Sequence, residues 1–107
     1  MVRGSTPIYT VSIPGYDLTD KTVYITIDNG NAQITLSGDR LTVTADETAS
    51  TVAFSLTQRE TLMLIAGQAE IQARFIDNVG MAYVTYKKPV PINDVLYRRV
   101  IHYERES

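Results

Sequence analysis

The 107-residue chain predicts an all-β fold, an immunoglobulin-like β-sandwich with one short helix between strands. Short segments with the two-residue alternation of half-buried strands recur along it, with turn residues every ~8–12 positions. A single helix-start signal, Leu56-Thr57-Gln58-Arg59-Glu60-Thr61-Leu62, interrupts them. The length suits one domain, placed over residues 1–107, whose core needs neither disulfide nor metal.

The elements follow in order. Ile8 to Ile13 is rich in strand formers and closes on the turn pair Pro14-Gly15. Val23, Ile25 and Ile27 alternate with Tyr24, Thr26 and Asp28. Asp28-Asn29-Gly30-Asn31 then supplies residues that tolerate positive φ, so this segment and Ala32 to Ser37 read as a hairpin with an Asn-Gly turn. Ser37-Gly38-Asp39 turns the chain into Leu41 to Thr44, and the polar tract Ala45 to Ser50 reads as a loop. Thr51 to Leu56 alternates again.

Thr57 followed by Glu60 has capping-box spacing, in which the hydroxyl accepts from the Glu60 amide and the carboxylate reaches back to the Thr57 amide. The Glu60 half is expected to be the more exposed. The helix should run towards Gly67, a natural stop, and carry the chain from one sheet to the other. Ala69 to Ile76 and Met81 to Tyr86 form a second hairpin around Asp77-Asn78-Val79-Gly80. Pro89 and Pro91 mark an irregular edge or a strand switch, because proline cannot donate to a ladder. A last strand is expected from Val95 to Tyr103, before the charged tail Glu104-Arg105-Glu106-Ser107. The alternation assigns the core to Val23, Ile25, Ile27, Ile34, Leu36, Leu41, Val43, Val52, Phe54, Leu56, Ile71, Ala73 and Phe75.

Composition narrows the chemistry. The absence of cysteine excludes a disulfide scaffold, a thiolate zinc site and a thiol nucleophile, and with no Trp it also excludes the Cys-Trp-Cys core of antibody domains. A net charge of −2 provides no electrostatic pull towards nucleic acid or an anionic membrane. No apolar run approaches the ~20 residues of a spanning helix, and Met1 to Pro7 lacks the apolar stretch of a signal peptide. A protein made in the cytosol is the expectation.

Each candidate for catalysis or metal binding has a plainer explanation. His102 is the only histidine, and no Gly-x-Ser-x-Gly turn presents a nucleophile for it. Asp17 with Asp20, and Asp46 with Glu47, could serve as a carboxylate pair, yet both pairs lie where Asp initiates turns. Asp28-Asn29-Gly30-Asn31 and Asp77-Asn78-Val79-Gly80 hold oxygen ligands but lack the acid spacing of an EF-hand loop. Arg98, Arg99 and Arg105, interleaved with Tyr97 and Tyr103, could stack on single-stranded nucleic acid, although Glu104 and Glu106 dilute the field. No catalytic residue, metal site or cofactor is expected.

Seven Tyr against two Phe and no Trp is the compositional oddity. Tyrosine suits strands, and it is also enriched at protein interfaces, where a rigid ring buries area and keeps a polar tip. The missing Trp lowers a carbohydrate-binding reading. Tyr97, Arg99, Ile101 and Tyr103 share one face of the expected last strand, a Tyr/Arg composition enriched at interface hot spots, and are the candidate interface.

Met1-Val2-Arg3-Gly4-Ser5-Thr6-Pro7, Asp17-Leu18-Thr19, Leu56 to Leu62, Ile71-Gln72-Ala73-Arg74 and Asn93-Asp94-Val95-Leu96 occur in one order. That order resembles small tail and baseplate proteins of phages and prophages of Gram-positive bacteria, and it is similar to the immunoglobulin-like N-terminal domain of phage baseplate upper proteins. The resemblance covers nearly the whole chain and implies a non-enzymatic structural or adaptor module of the virion. Its partners would be other tail or baseplate proteins, or further copies of itself, and neither nucleic acid nor membrane. A carbohydrate-binding receptor module is the alternative, and a small hydrolase is the least supported.

Overall fold

The computed structural model describes residues 1–30, 32–85, 87–96 and 99–101. Strands β1 (Ile8–Pro14), β4 (Leu41–Ala45) and β5 (Ala49–Ser55) form one antiparallel sheet in the order β1-β5-β4. The second sheet runs β3-β2-β6, from β2 (Thr22–Asp28), β3 (Gln33–Ser37) and β6 (Gly67–Ile76), with β7 (Ala82–Val84) and β8 (Lys88–Ile92) paired to β6. Helix α1 (Gln58–Met63) carries the chain from β5 in the first sheet to β6 in the second, as the sequence predicts.

This order is an immunoglobulin-like Greek key. The strands β1, β4 and β5 stand where B, D and E stand in that fold, and β2, β3 and β6 stand where C, C′ and F stand. The G position is shared by β7 and β8. Val84 faces Arg74 and Lys88 faces Ile71, so the edge strand carries one residue more than β6 across this interval, the count of a β-bulge. Thr85 sits in the bulge, where its amide donates to the Ala73 carbonyl (2.9 Å) and its hydroxyl accepts from the Ala73 amide (3.0 Å). Among the described residues no strand takes the A position beside β1.

The core fills the space between the sheets. Of the residues the alternation assigns to it, Val23, Ile25, Ile27, Ile34, Leu36, Val52, Phe54, Leu56, Ile71, Ala73 and Phe75 are buried, and Leu41 packs half-buried against them. Val43 is a correction. It faces Val52 in the register, yet it is 39% exposed because β4 is an edge strand with one flank in solvent. Ile13, Leu18, Leu64, Ala69, Val90 and Ile92 complete the core.

Other expectations also need adjustment. The loop expected over Ala45 to Ser50 shrinks to residues 46–48, because β5 begins at Ala49. Helix α1 ends at Met63, short of Gly67, since Leu64 turns to an extended conformation and buries completely. Both capping-box bonds form, at 3.1 Å into Thr57 Oγ1 and 2.9 Å into Glu60 Oε1. Contrary to expectation, Glu60 is the more enclosed partner, because its carboxylate also receives Arg40 at 2.6 Å.

The last strand is the largest correction. Val95, Leu96, Arg99, Val100 and Ile101 lie in no strand. The outer edge of β6 is already taken by β7 and β8, leaving the later segment no ladder to join there.

Candidate interaction surface

Three of the sequence motifs meet at one end of the molecule. The Arg3 guanidinium donates to Asp94 Oδ1 (2.8 Å) and to the Leu62 carbonyl at the end of α1 (2.9 Å). The Thr61 hydroxyl, fully buried, accepts from the Gly4 amide (2.9 Å) and lies in donating range of the Ser5 carbonyl (2.9 Å). Asn93 donates to the Met1 carbonyl (2.7 Å) and accepts from the Arg3 amide (2.9 Å), forming a parallel bridge between Val2 and Asn93. Gly4 has φ +80°, and a Cβ there would make only ordinary contact with Leu62 Cδ2 at 3.5 Å, so it is the turn that favours glycine. These residues pin the N-terminal segment to α1 and to the end of β8.

Ser50 repeats the device at another loop. Its buried hydroxyl accepts from the Leu18 amide (3.0 Å) and donates to the Tyr16 carbonyl (2.9 Å), holding the β1–β2 connection on β5. Neither bridge carries a sequence signal, because the loop groups that each hydroxyl ties down lie more than thirty residues away.

Beside β1 the sandwich opens into a groove of about 990 Å³ that runs between β1 and the β7–β8 edge. Its lining includes Tyr9, Val11, Tyr16, Phe75, Tyr83 and Lys88. The aromatic rings pack together, with Phe75 and Tyr83 stacked at 5.1 Å and Tyr16 against both at 5.1 and 5.4 Å. Partial burial raises the Tyr9 phenol above its ordinary pKa. The tyrosine excess is thus partly concentrated on one concavity.

Of the candidate interface residues, Arg99 and Ile101 are exposed, Ile101 by 62%, while Tyr97 and Tyr103 lie outside the described residues, as does His102. The Ile101 backbone is held by the Gln58 side chain, which accepts from its amide (2.7 Å) and donates to its carbonyl (2.9 Å). Leu96 is fully exposed.

The acidic turns spend their oxygens locally. Asp17 Oδ1 accepts from the Thr19 hydroxyl and amide, and these bonds, the hydroxyl's first, lower its pKa. Asp28 accepts from the Gly30 amide and the Gln33 side chain, which lower its pKa, the amide more. Asp77 Oδ1 accepts from the Val79 and Met81 amides. Among the described residues no three His, Asp or Glu side chains gather as a metal site. No described helix is long and apolar enough to cross a membrane. In comparisons with known proteins, no family model and no curated protein matches the chain.

Proposed function

We propose that this chain is a non-enzymatic structural or adaptor module of a phage tail or baseplate, acting through protein–protein contacts with other tail or baseplate proteins. The single observation that supports this most is the C-terminal stretch. Leu96, Arg99 and Ile101 project into solvent and lie in no strand, and the Gln58 side chain bonds both backbone groups of Ile101. An exposed apolar and cationic set is suited to a partner, and anchoring its backbone at Ile101 reduces the ordering entropy lost on binding. The resemblance of the motif order to that of baseplate upper proteins supports the tail assignment, with the virion as final location and the host cytoplasm as site of synthesis.

The test combines mass spectrometry of purified particles with binding of the protein to the products of neighbouring tail genes. Arg99→Ala/Ile101→Asp should weaken that binding while leaving the fold intact, since both side chains are exposed. Absence from particles, together with unchanged binding by the double variant, refutes the reading.

The carbohydrate-binding alternative draws on a polar depression of about 490 Å³, lined by residues including Asp28, Gln33, Glu70 and Gln72. Among the described residues its lining includes no tyrosine on which a sugar ring could stack, so the protein-contact reading stands first.

A further inference from the structure

We infer that β1 is a self-pairing edge, and that two copies of this chain join antiparallel along it to make one continuous sheet. The inference deepens the protein-contact reading by naming one partner, a second copy, on a surface separate from the C-terminal stretch.

The backbone register shows which way the edge faces. Just beyond the strand ends, Leu56 donates to the Pro7 carbonyl and Gly15 donates to the Thr48 carbonyl. Pairing direction alternates along an antiparallel strand, so Tyr9, Val11 and Ile13 turn their amides and carbonyls towards β5. Ile8, Thr10 and Ser12 turn theirs away, to the side where an immunoglobulin-like sheet carries strand A and where no described strand lies. Pro14, which has no amide hydrogen, falls in the outward set, as an edge proline should.

The edges of the two sheets on this side of the groove are treated differently. On β8, Pro89 and Pro91 remove donors, the N-terminal ammonium takes the Pro91 carbonyl (2.8 Å), and the bulge distorts the line of the strand. Ile8–Pro14 carries none of the charged residues that usually guard an edge.

A second copy fits this edge by symmetry. A two-fold axis through Thr10 sets Thr10 opposite Thr10 and Ile8 opposite Ser12, so every outward amide from Ile8, Thr10 and Ser12 meets a carbonyl. Shifting the axis to Val11 sets Ile8 opposite Pro14 and loses a donor. The strand is uncharged, so an identical strand brings no like-charge repulsion, and the contact is isologous and closed. Tyr9 would face Val11 of the other copy, extending the apolar lining of the groove across its open side.

Sedimentation equilibrium of the wild-type protein should show a concentration-dependent dimer. Thr10→Lys sets two ammonium groups face to face and should raise the dimer Kd at least about tenfold. Thr10→Pro removes an outward amide only, and should also give monomer. Because directly paired residues of this kind have Cα atoms about 5.5 Å apart, within disulfide reach, Thr10→Cys should cross-link to itself on oxidation. Ser12→Cys should do so poorly. Circular dichroism and Tm report whether each variant keeps its fold, and the cysteine variants test the register even if Thr10→Pro unfolds. A wild-type protein that stays monomeric into the millimolar range overturns the proposal, as does a dimer that Thr10→Lys leaves unchanged, or cross-linking of Ser12→Cys as fast as Thr10→Cys. A monomer that still binds tail proteins refutes self-pairing alone. A β1 dimer absent from particles refutes the tail reading alone.

Discussion

Replacing Thr61 with valine tests whether one buried hydroxyl holds the N-terminal segment in place. Valine keeps the branched shape and swaps the oxygen for a methyl, so packing changes little. Two groups lose their partner: the Gly4 amide, 2.9 Å from Thr61 Oγ1, and the Ser5 carbonyl at the same distance. The Gln58 carbonyl, the hydroxyl's other acceptor at 3.1 Å, already serves the helix. A polar group left buried and unpaired costs about 1–3 kcal/mol, and these two are only partly buried, so water recovers some of that cost. The added apolar surface returns about 0.8 kcal/mol at most. The net expectation is a loss of about 2 kcal/mol, or a fall in Tm of about 10 °C for a domain of this size. Urea denaturation followed by circular dichroism measures it. Thr61→Ser, which keeps the oxygen, should lose less than half as much. The Gly4 and Asn93 amides should lose hydrogen-exchange protection in Thr61→Val before the sheets do. If Thr61→Val matches wild type within about 0.5 kcal/mol, or is more stable than Thr61→Ser, the pin carries no stability and the reasoning is wrong.

Thr57→Ala should cost about 1 kcal/mol in the same assay through loss of the N-cap oxygen, and an unchanged unfolding midpoint would refute it. Glu60 should contribute to acid sensitivity: burial opposes its ionisation, but the bonds from Arg40 and Thr57 outweigh burial and lower its pKa. A lowered folded-state pKa means stability that is present above the ordinary glutamate range and lost as pH falls through the folded value, so Glu60→Gln should flatten the acid limb of a stability–pH curve. Phe54→Ala should cost about 3–5 kcal/mol, since the ring is buried and stacks on Tyr9 at 5.9 Å. Gly4→Ala should cost about 1–2 kcal/mol, chiefly because alanine must adopt φ +80°, and a neutral substitution in thermal melts would show that the turn relaxes.

The strand phases were legible because alternation is local. Once one face of a strand is committed to the core, a shift by one residue would expose it all, and Val23 to Ile27 and Ile71 to Phe75 follow that rule without exception. The helix start was legible for the same reason, since Thr57 and Glu60 meet within one turn. Val90 and Ile92 alternate equally well, but the intervening prolines mask them as irregular chain. The structure places those prolines on the outward side of an edge strand, where a missing donor costs nothing.

What the sequence determined by itself was therefore the fold class, the phases of most strands and the position of the helix. Tertiary structure decided which edges are occupied, which hydroxyls bridge distant loops and which candidate residues share a surface. The described residues between Val95 and Ile101 show the division: Val95, Val100 and Ile101 are strand formers, yet none lies in a strand, because a strand exists only against a partner and propensity does not supply one. Hydrogen bonds such as Thr61 to Gly4 and Ser50 to Leu18 join residues far apart in the chain. Such meetings leave no period in the sequence, because they arise only when the sheets pack and bring those loops together.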